Sequence, residues 1–362
     1  MVLMAIDHAS FFIARVHPSE TWAAQGEYAS LMAFVTRWVT HLCAPGFFML
    51  MGAGMVWLVQ ARARDGWTPG RIRRFFITRG AVLMLIQQVI ENPAWLLGYV
   101  SIAPGAFAEP PTIGGGPDGV FVVLLVVSAL GASMIFWGLL MGVPSVLVAA
   151  ITVVAFVAGW YFTPPPSEIA TLFPMPMRIF FIPGTTAPVS VVYAWVPWLV
   201  PAGLGLLLGR AVLAAPDRMR MALPWVGLVA VGAFVVLRAL GVGDYHQPAP
   251  GFIGFMNLTK YPPSLDFLLA TLGMNLMLVP LLARIRARAI AAPLEVFGRS
   301  PLFFYLLHLY VFGALSWAFP RGTTWAVMYL VWAAAIAAMY PACRWYAGFK
   351  TRKPIASFWR LL

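Results

Sequence analysis

GVFVVLLVVSALGASMIFWGLLMGVPSVLVAAITVVAFVAGWYF, residues 119–162, holds no Asp, Glu, Lys, Arg or His. It divides into apolar runs at 119–140 and 143–162, joined only by a tight Gly142-Val143-Pro144 turn. At about 1.5 Å per helical residue, each run is long enough to cross the ~30 Å hydrocarbon core of a bilayer. The stretch predicts either a transmembrane hairpin or one broken helix. Comparable runs lie on both sides, at roughly 38–60, 75–98, 189–209, 222–241, 264–283, 296–319 and 323–342. With an N-terminal run they predict an all-α fold, a polytopic transmembrane bundle of about ten helices. One domain over 1–345 and a short basic tail over 346–362 follow from the same pattern.

Composition excludes a soluble fold. The 362 residues are 61% hydrophobic and 10% charged, against about 25% charged in soluble domains. The mean hydropathy is +0.84. The net charge of +12 is no nucleic-acid signature, because the positive residues sit in short loops between apolar runs. Cys43 and Cys343 form no CxxC pair, so neither a zinc site nor a disulfide framework is expected.

The N-terminal run MVLMAIDHASFFIA stops at Arg15 and would span only about 21 Å as helix. It lacks a basic n-region and is interrupted by Asp7 and His8, which argues against a signal peptide. It reads as a first helix whose start is clipped, or one buried by its neighbours.

Arginines set the orientation. Arg62, Arg64, Arg71, Arg73 and Arg74 follow the second run, Arg210, Arg218 and Arg220 the sixth, Arg284, Arg286 and Arg288 the eighth, and Arg344, Lys350, Arg352 and Lys353 the tenth. All fall on one side, which is therefore cytoplasmic. This predicts a multi-pass protein of the bacterial inner (plasma) membrane with a cytoplasmic C-terminus. The opposite loops carry only Arg15, Arg178, Lys260 and Arg321, and are longer and rich in Pro and Gly, as in 104–119 and 162–177. Gly114–Gly116 is no phosphate loop, since neither a strand before it nor a GK[ST] after it is present.

Ionisable groups inside a span are costly and usually functional. Here they gather in the extracytoplasmic half: Asp7 and His8, Arg37 and His41, Glu91 and Asn92, Arg238 and Asp244, Lys260 and Asp266, with His308 near mid-depth and only Arg79 in the inner half. Arg37 and His41 are four residues apart and share a helix face; Gln87, Gln88 and Glu91 form a polar stripe; Phe304, Tyr305 and His308 share a third face. Asp7 and His8 are about 100° apart around their helix and cannot pair side by side, so whatever orients His8 comes from another helix.

MVLMAIDHAS (1–10), TRWVTHLCAPGFFMLMGAG (36–54), VPWLVPAGLGLLLGR (196–210), NLTKYPPSLDFLLATLG (257–273) and FGRSPLFFYLLHLY (297–310) resemble, in order, bacterial members of the heparan-alpha-glucosaminide N-acetyltransferase-like family. The resemblance covers nearly the whole chain and rests on the runs in combination. It implies a membrane-bound acyltransferase with about ten or eleven helices. Such an enzyme passes an acyl group, typically acetyl from acetyl-CoA, to a sugar or glycan across the membrane. It also implies a catalytic histidine in or just after the first helix, which points to His8, with His17 as second candidate. Related acyltransferases place an Arg upstream of that histidine; the matching position would precede Met1, in keeping with a clipped start.

A histidine base would take the acceptor proton, and a buried imidazole favours the neutral form this needs. His8 and His17 are the catalytic candidates. Asp7, Arg37, His41, Asp244, Lys260 and His308 are the candidate substrate-binding residues, with Arg37 and Lys260 available for an anion such as a CoA phosphate. Each has a structural alternative: interhelical hydrogen bonds for the histidines, interfacial snorkelling for Arg37 and Lys260, and a turn for Asp244. A metal site from His8, His41, His308 and Glu91 lacks short-range ligand spacing, and no metal is expected. The expected partners are acyl-CoA, a sugar or glycan acceptor and the lipid bilayer, with no nucleic acid; a homodimer is compatible with the sequence. A transporter or flippase of a lipid or glycan intermediate is the competing reading, because Pro45, Pro93, Pro197 and Pro201 interrupt polar-bearing helices.

Overall fold

The computed structural model describes residues 1–107, 119–168, 173–285, 287–354, 357 and 359. Gly114–Gly116, Arg286, parts of the loops at 104–119 and 162–177 and the end of the tail lie outside them. The described residues are 72% helical and form an all-α polytopic bundle. Its helices are α1 (Val2–Ala14), α2 (Leu31–Arg64), α3 (69–99), α4 (Val126–Leu139), α5 (Ser145–Phe162), the short α6 (Met175–Phe180), α7 (Trp195–Ala214), α8 (Pro216–Ala239), the short α9 (Gly251–Met256), α10 (Leu265–Leu282), α11 (Arg288–Arg299), α12 (Pro301–Ala318) and α13 (Trp325–Arg352). Among the described residues, seven of these are long and apolar enough to cross a membrane: α2, α5, α7, α8, α10, α12 and α13. The helices α1 and α4 are apolar but shorter.

Helix starts follow local chemistry. Ser30, Thr68, Ser264 and Thr324 accept from the N–H three residues on, satisfying one of the donors that a helix start leaves open. Helix α2 begins at Leu31, seven residues before its apolar run, because the charge of Arg37 is neutralised inside the protein. The run 296–319 splits at Ser300-Pro301 into α11 and α12, since proline favours the first turn of a new helix. Helix α13 continues through Arg352, so 346–352 are its last turns.

The run 119–140 departs most from expectation. Only Val126–Leu139 is helical; Val122–Leu124 is a strand, β1. It pairs in parallel with β3 (Val189–Val191), which forms a hairpin with β2 (Gly184–Thr186), giving the order β1-β3-β2. Beyond α4 the chain turns at 140–144 into α5, so the segment is a hairpin. Arg210 of α7 holds that turn by donating to the carbonyls of Met141 and Val143.

Backbone proximity holds the bundle together. A Cβ on Gly52 would strike the Ala202 carbonyl oxygen, and one on Gly205 that of Met49, so α2 and α7 touch along their main chains. Without a hydrophobic drive between helices in lipid, this close van der Waals approach is what favours their association. Helix α1 ends at Arg15, in the left-handed region at φ 58°. Its buried guanidinium donates to Ser101 Oγ and to the carbonyls of Ser316 and Phe319, tying the end of α1 to α12.

Candidate functional site

At the end of the bundle remote from the arginine-rich loops, a cavity of about 440 Å³ is walled by α1, the segment 17–23, the three-stranded sheet, Tyr261, Trp95 and Tyr305. A smaller chamber of about 40 Å³ adjoins it and extends along α1 and α2 to Met4 and Phe47. Asp7, His8, Val126, Tyr193 and Tyr305 border both and form the neck between them. The larger volume suits a small ligand or one reactive arm of a bigger one.

Glu20 organises the charges here. It is 1% exposed and accepts from Arg37 Nε at 2.8 Å, Arg37 Nη2 at 2.6 Å and Tyr28 Oη at 3.2 Å, with His41 Nε2 at 2.5 Å. The remaining amino group of Arg37 donates to Asp7, which also accepts from Thr40 Oγ1 at 3.2 Å. A fork of five donors matches two carboxylates edge to edge, so this buried group is matched in charge and geometry. Burial would raise the Glu20 carboxyl, but Arg37 and then His41 outweigh it and hold it below the usual carboxylate range. Arg37 and His41 do share one helix face, and that face meets Glu20. These contacts take a donor from each of the three guanidinium nitrogens, and Arg37 also lines the larger cavity.

His8 turns away from Asp7 and meets His308 of α12, with Nδ1 to Nε2 at 2.6 Å. The ring planes are 13° apart and the centroids 4.8 Å apart. With nitrogens that close, the rings meet edge to edge. His308 Nδ1 is 2.9 Å from the Phe304 carbonyl oxygen, an acceptor only, so it carries the proton. His308 Nε2 is then an acceptor, His8 Nδ1 is the donor, and His8 Nε2 keeps a free lone pair with no partner among the described residues. Trp95 and Tyr305 pack edge-on against His8. The Tyr305 hydroxyl donates to Glu91 at 2.5 Å, with the Trp95 indole at 3.4 Å from the same oxygen.

The other expected site residues separate. His17 lines the larger cavity and makes no hydrogen bond among the described residues. Burial pushes its imidazole down to about 3, and Arg37 adds to the effect. Lys260 is 3% exposed and borders the smaller chamber, stacked 5.1 Å from the Tyr261 ring centroid. Burial would lower its ammonium, but Tyr261 leads the groups that raise it. Asp244 lines neither cavity. It accepts from Thr259 N and Oγ1, Ser264 Oγ and His246 N, and knits the loop before α10. His41 faces Glu20 and Glu91 faces Tyr305, so the four candidate metal ligands do not converge. Among the described residues no group of three or more His, Cys, Asp or Glu is placed to hold a metal ion.

Two features escaped the sequence reading. Glu20 looks like any loop acid, and Glu27, seven residues on, is exposed. The start of α4 at Val126 lies inside an unbroken apolar run. No family model matches the chain, and no curated protein matches it.

Proposed function

We propose that the protein is a membrane-bound acyltransferase that moves an acyl group, acetyl by the resemblance noted above, from a cytoplasmic acyl-CoA to an extracytoplasmic sugar or glycan, with His8 as general base. The arginine-rich loops would face the cytoplasm and the cavity the opposite side of the bacterial inner membrane. One observation carries the reading: the Phe304–His308–His8 chain leaves His8 Nε2 unprotonated at the neck of a 440 Å³ cavity. Such a nitrogen can take the proton of an acceptor hydroxyl or amine as the bond to the acyl carbon forms, and return it to the departing thiolate. His308 fixes the tautomer, and the Asp7–Arg37–Glu20–His41 network braces the helix that carries His8. The cavity's aromatic walls suit the faces of a sugar ring, and its charges are already paired with one another. Acetyl-CoA enters here as a substrate of which only the thioester arm needs to reach the neck.

Purified protein in nanodiscs, given labelled acetyl-CoA and a panel of amino sugars and glycans, should form acetylated product. His8→Ala should bind the donor yet lose about 10²–10⁴ in rate. Activity that survives His8→Ala and vanishes in His17→Ala would move the base to His17. The transporter reading draws on the interrupted run at 119–140, since discontinuous helices frame transporter sites. Donor binding absent in every variant, with glycolipid movement in proteoliposomes, would favour it.

A further inference from the structure

The strand β1 and helix α4 lie in one apolar run that could have been helical throughout. Side-chain amides of α3 keep it broken. Gln87 and Gln88 donate to the Val123 carbonyl at 2.5 and 3.1 Å, and Gln87 Oε1 accepts from Ser128 N–H. The polar stripe foreseen on α3 therefore holds a helix start in place. The N–H groups of Val126 and Val127 have no intrahelical acceptor and no other partner among the described residues. They mark the positive end of a helix dipole, and Val126 borders both cavities.

A second, independent feature borders the smaller chamber, into which the neck opens. Lys260 brings three N–H donors into a chamber of about 40 Å³, and its ammonium makes no hydrogen bond or ion pair among the described residues. A buried cation without acceptors is costly, so the chamber calls for an oxygen ligand. The nearby carboxylates do not supply it: Asp7 is bound by Arg37 and Thr40, and Glu20 by Arg37 and His41. The free lone pair of His8 opens on the same neck.

We infer that the smaller chamber, where it meets the neck, is an oxyanion site, in which the first amides of α4 and the Lys260 ammonium stabilise the negative oxygen formed when a thioester carbonyl is attacked. The inference rests on the acyl-transfer reading. In the step, the acceptor's lone pair bonds to the carbonyl carbon while His8 Nε2 takes the acceptor's proton. The carbonyl π pair moves onto oxygen, where the amides and Lys260 meet it. Collapse restores the C=O bond and breaks the C–S bond; the thiolate leaves and takes the proton back from His8. Donors aimed at the developing charge are worth more in a water-poor site than in water.

The test uses acetyl-CoA carrying ¹³C at the thioester carbonyl, bound to the full-length protein in nanodiscs, with the carbonyl stretch read by infrared difference spectroscopy. Lys260→Met removes the ammonium. Val126→Pro removes one amide at the first helical position, where proline is tolerated, and Leu125 before it is already extended at φ −101°, ψ −162°. The expected result is a stretch shifted to lower wavenumber in wild type and in His8→Ala, and a partial return toward the free value in both neck variants. Their kcat should fall about 10²–10³-fold with KM nearly unchanged, and Lys260→Arg should recover part of it. Wild-type kcat and an unshifted carbonyl in a protein that binds and turns over the donor would overturn the oxyanion site alone. Absence of donor binding in wild type would overturn the acyl-transfer reading beneath it.

Discussion

Replacing Glu20 by Gln keeps the side chain's shape and deletes its charge. In the native protein four donor atoms converge on that carboxylate, two from Arg37 and one each from His41 and Tyr28, at 2.5–3.2 Å. Glutamine offers one acceptor oxygen and turns an NH2 group toward the remaining donors. Arg37, 2% exposed, is left with Asp7 as its only carboxylate partner. Breaking a buried pair by removing one member costs about 3–5 kcal/mol, because the other charge stays buried without compensation. At about 2 °C per kcal/mol for a chain of this size, the melting midpoint should fall by about 6–10 °C. Tryptophan fluorescence during a thermal ramp in one detergent measures it. Arg37→Met should cost more, since it strands two carboxylates. The double variant Glu20→Gln/Arg37→Met should cost less than the sum of the two, as groups in one network do. A fall under about 2 °C in Glu20→Gln, or strict additivity in the double variant, would refute the picture of a coupled buried network.

Other outcomes follow from single contacts. His308→Leu should release the His8 tautomer and lower turnover by about 10²-fold or more, while His308→Gln, which keeps an acceptor, should be milder; nitrogen NMR of His8 reads the tautomer directly. Gly205→Ala should force α2 and α7 apart and cost about 1–3 kcal/mol, read by the same melting assay. His17 stays neutral in the folded protein down to about 3, whereas an unfolded histidine takes a proton near 6.5. Its contribution is therefore intact above pH 6.5 and is lost as pH falls toward 3, at up to about 1.4 kcal/mol per pH unit. His17→Gln should flatten that part of the stability–pH curve. Reporter fusions after residues 68, 215 and 287 should report the cytoplasm, and fusions after 103 and 166 the opposite side; the reverse pattern would overturn the proposed orientation.

The sequence by itself determined that this chain is a helical membrane bundle, about how many helices it has, and that its ionisable groups gather at one end. These are properties of composition and run length, and a bilayer enforces them because an unpaired backbone group in hydrocarbon is too costly to tolerate. Helical spacing also placed Arg37 with His41, and Phe304 with Tyr305 and His308. What those faces meet was decided by tertiary structure. That Arg37 meets Glu20 and Asp7, and that Asp244 ties the loop before α10, depend on contacts between separate segments of the chain. The His8–His308 contact joins residues near opposite ends of the chain. The break at Val126 was equally out of reach: residues 119–140 are uniformly apolar, so period and composition favour one helix. Strand β3 and three side-chain amides from α3 supply the backbone partners that make the interruption affordable.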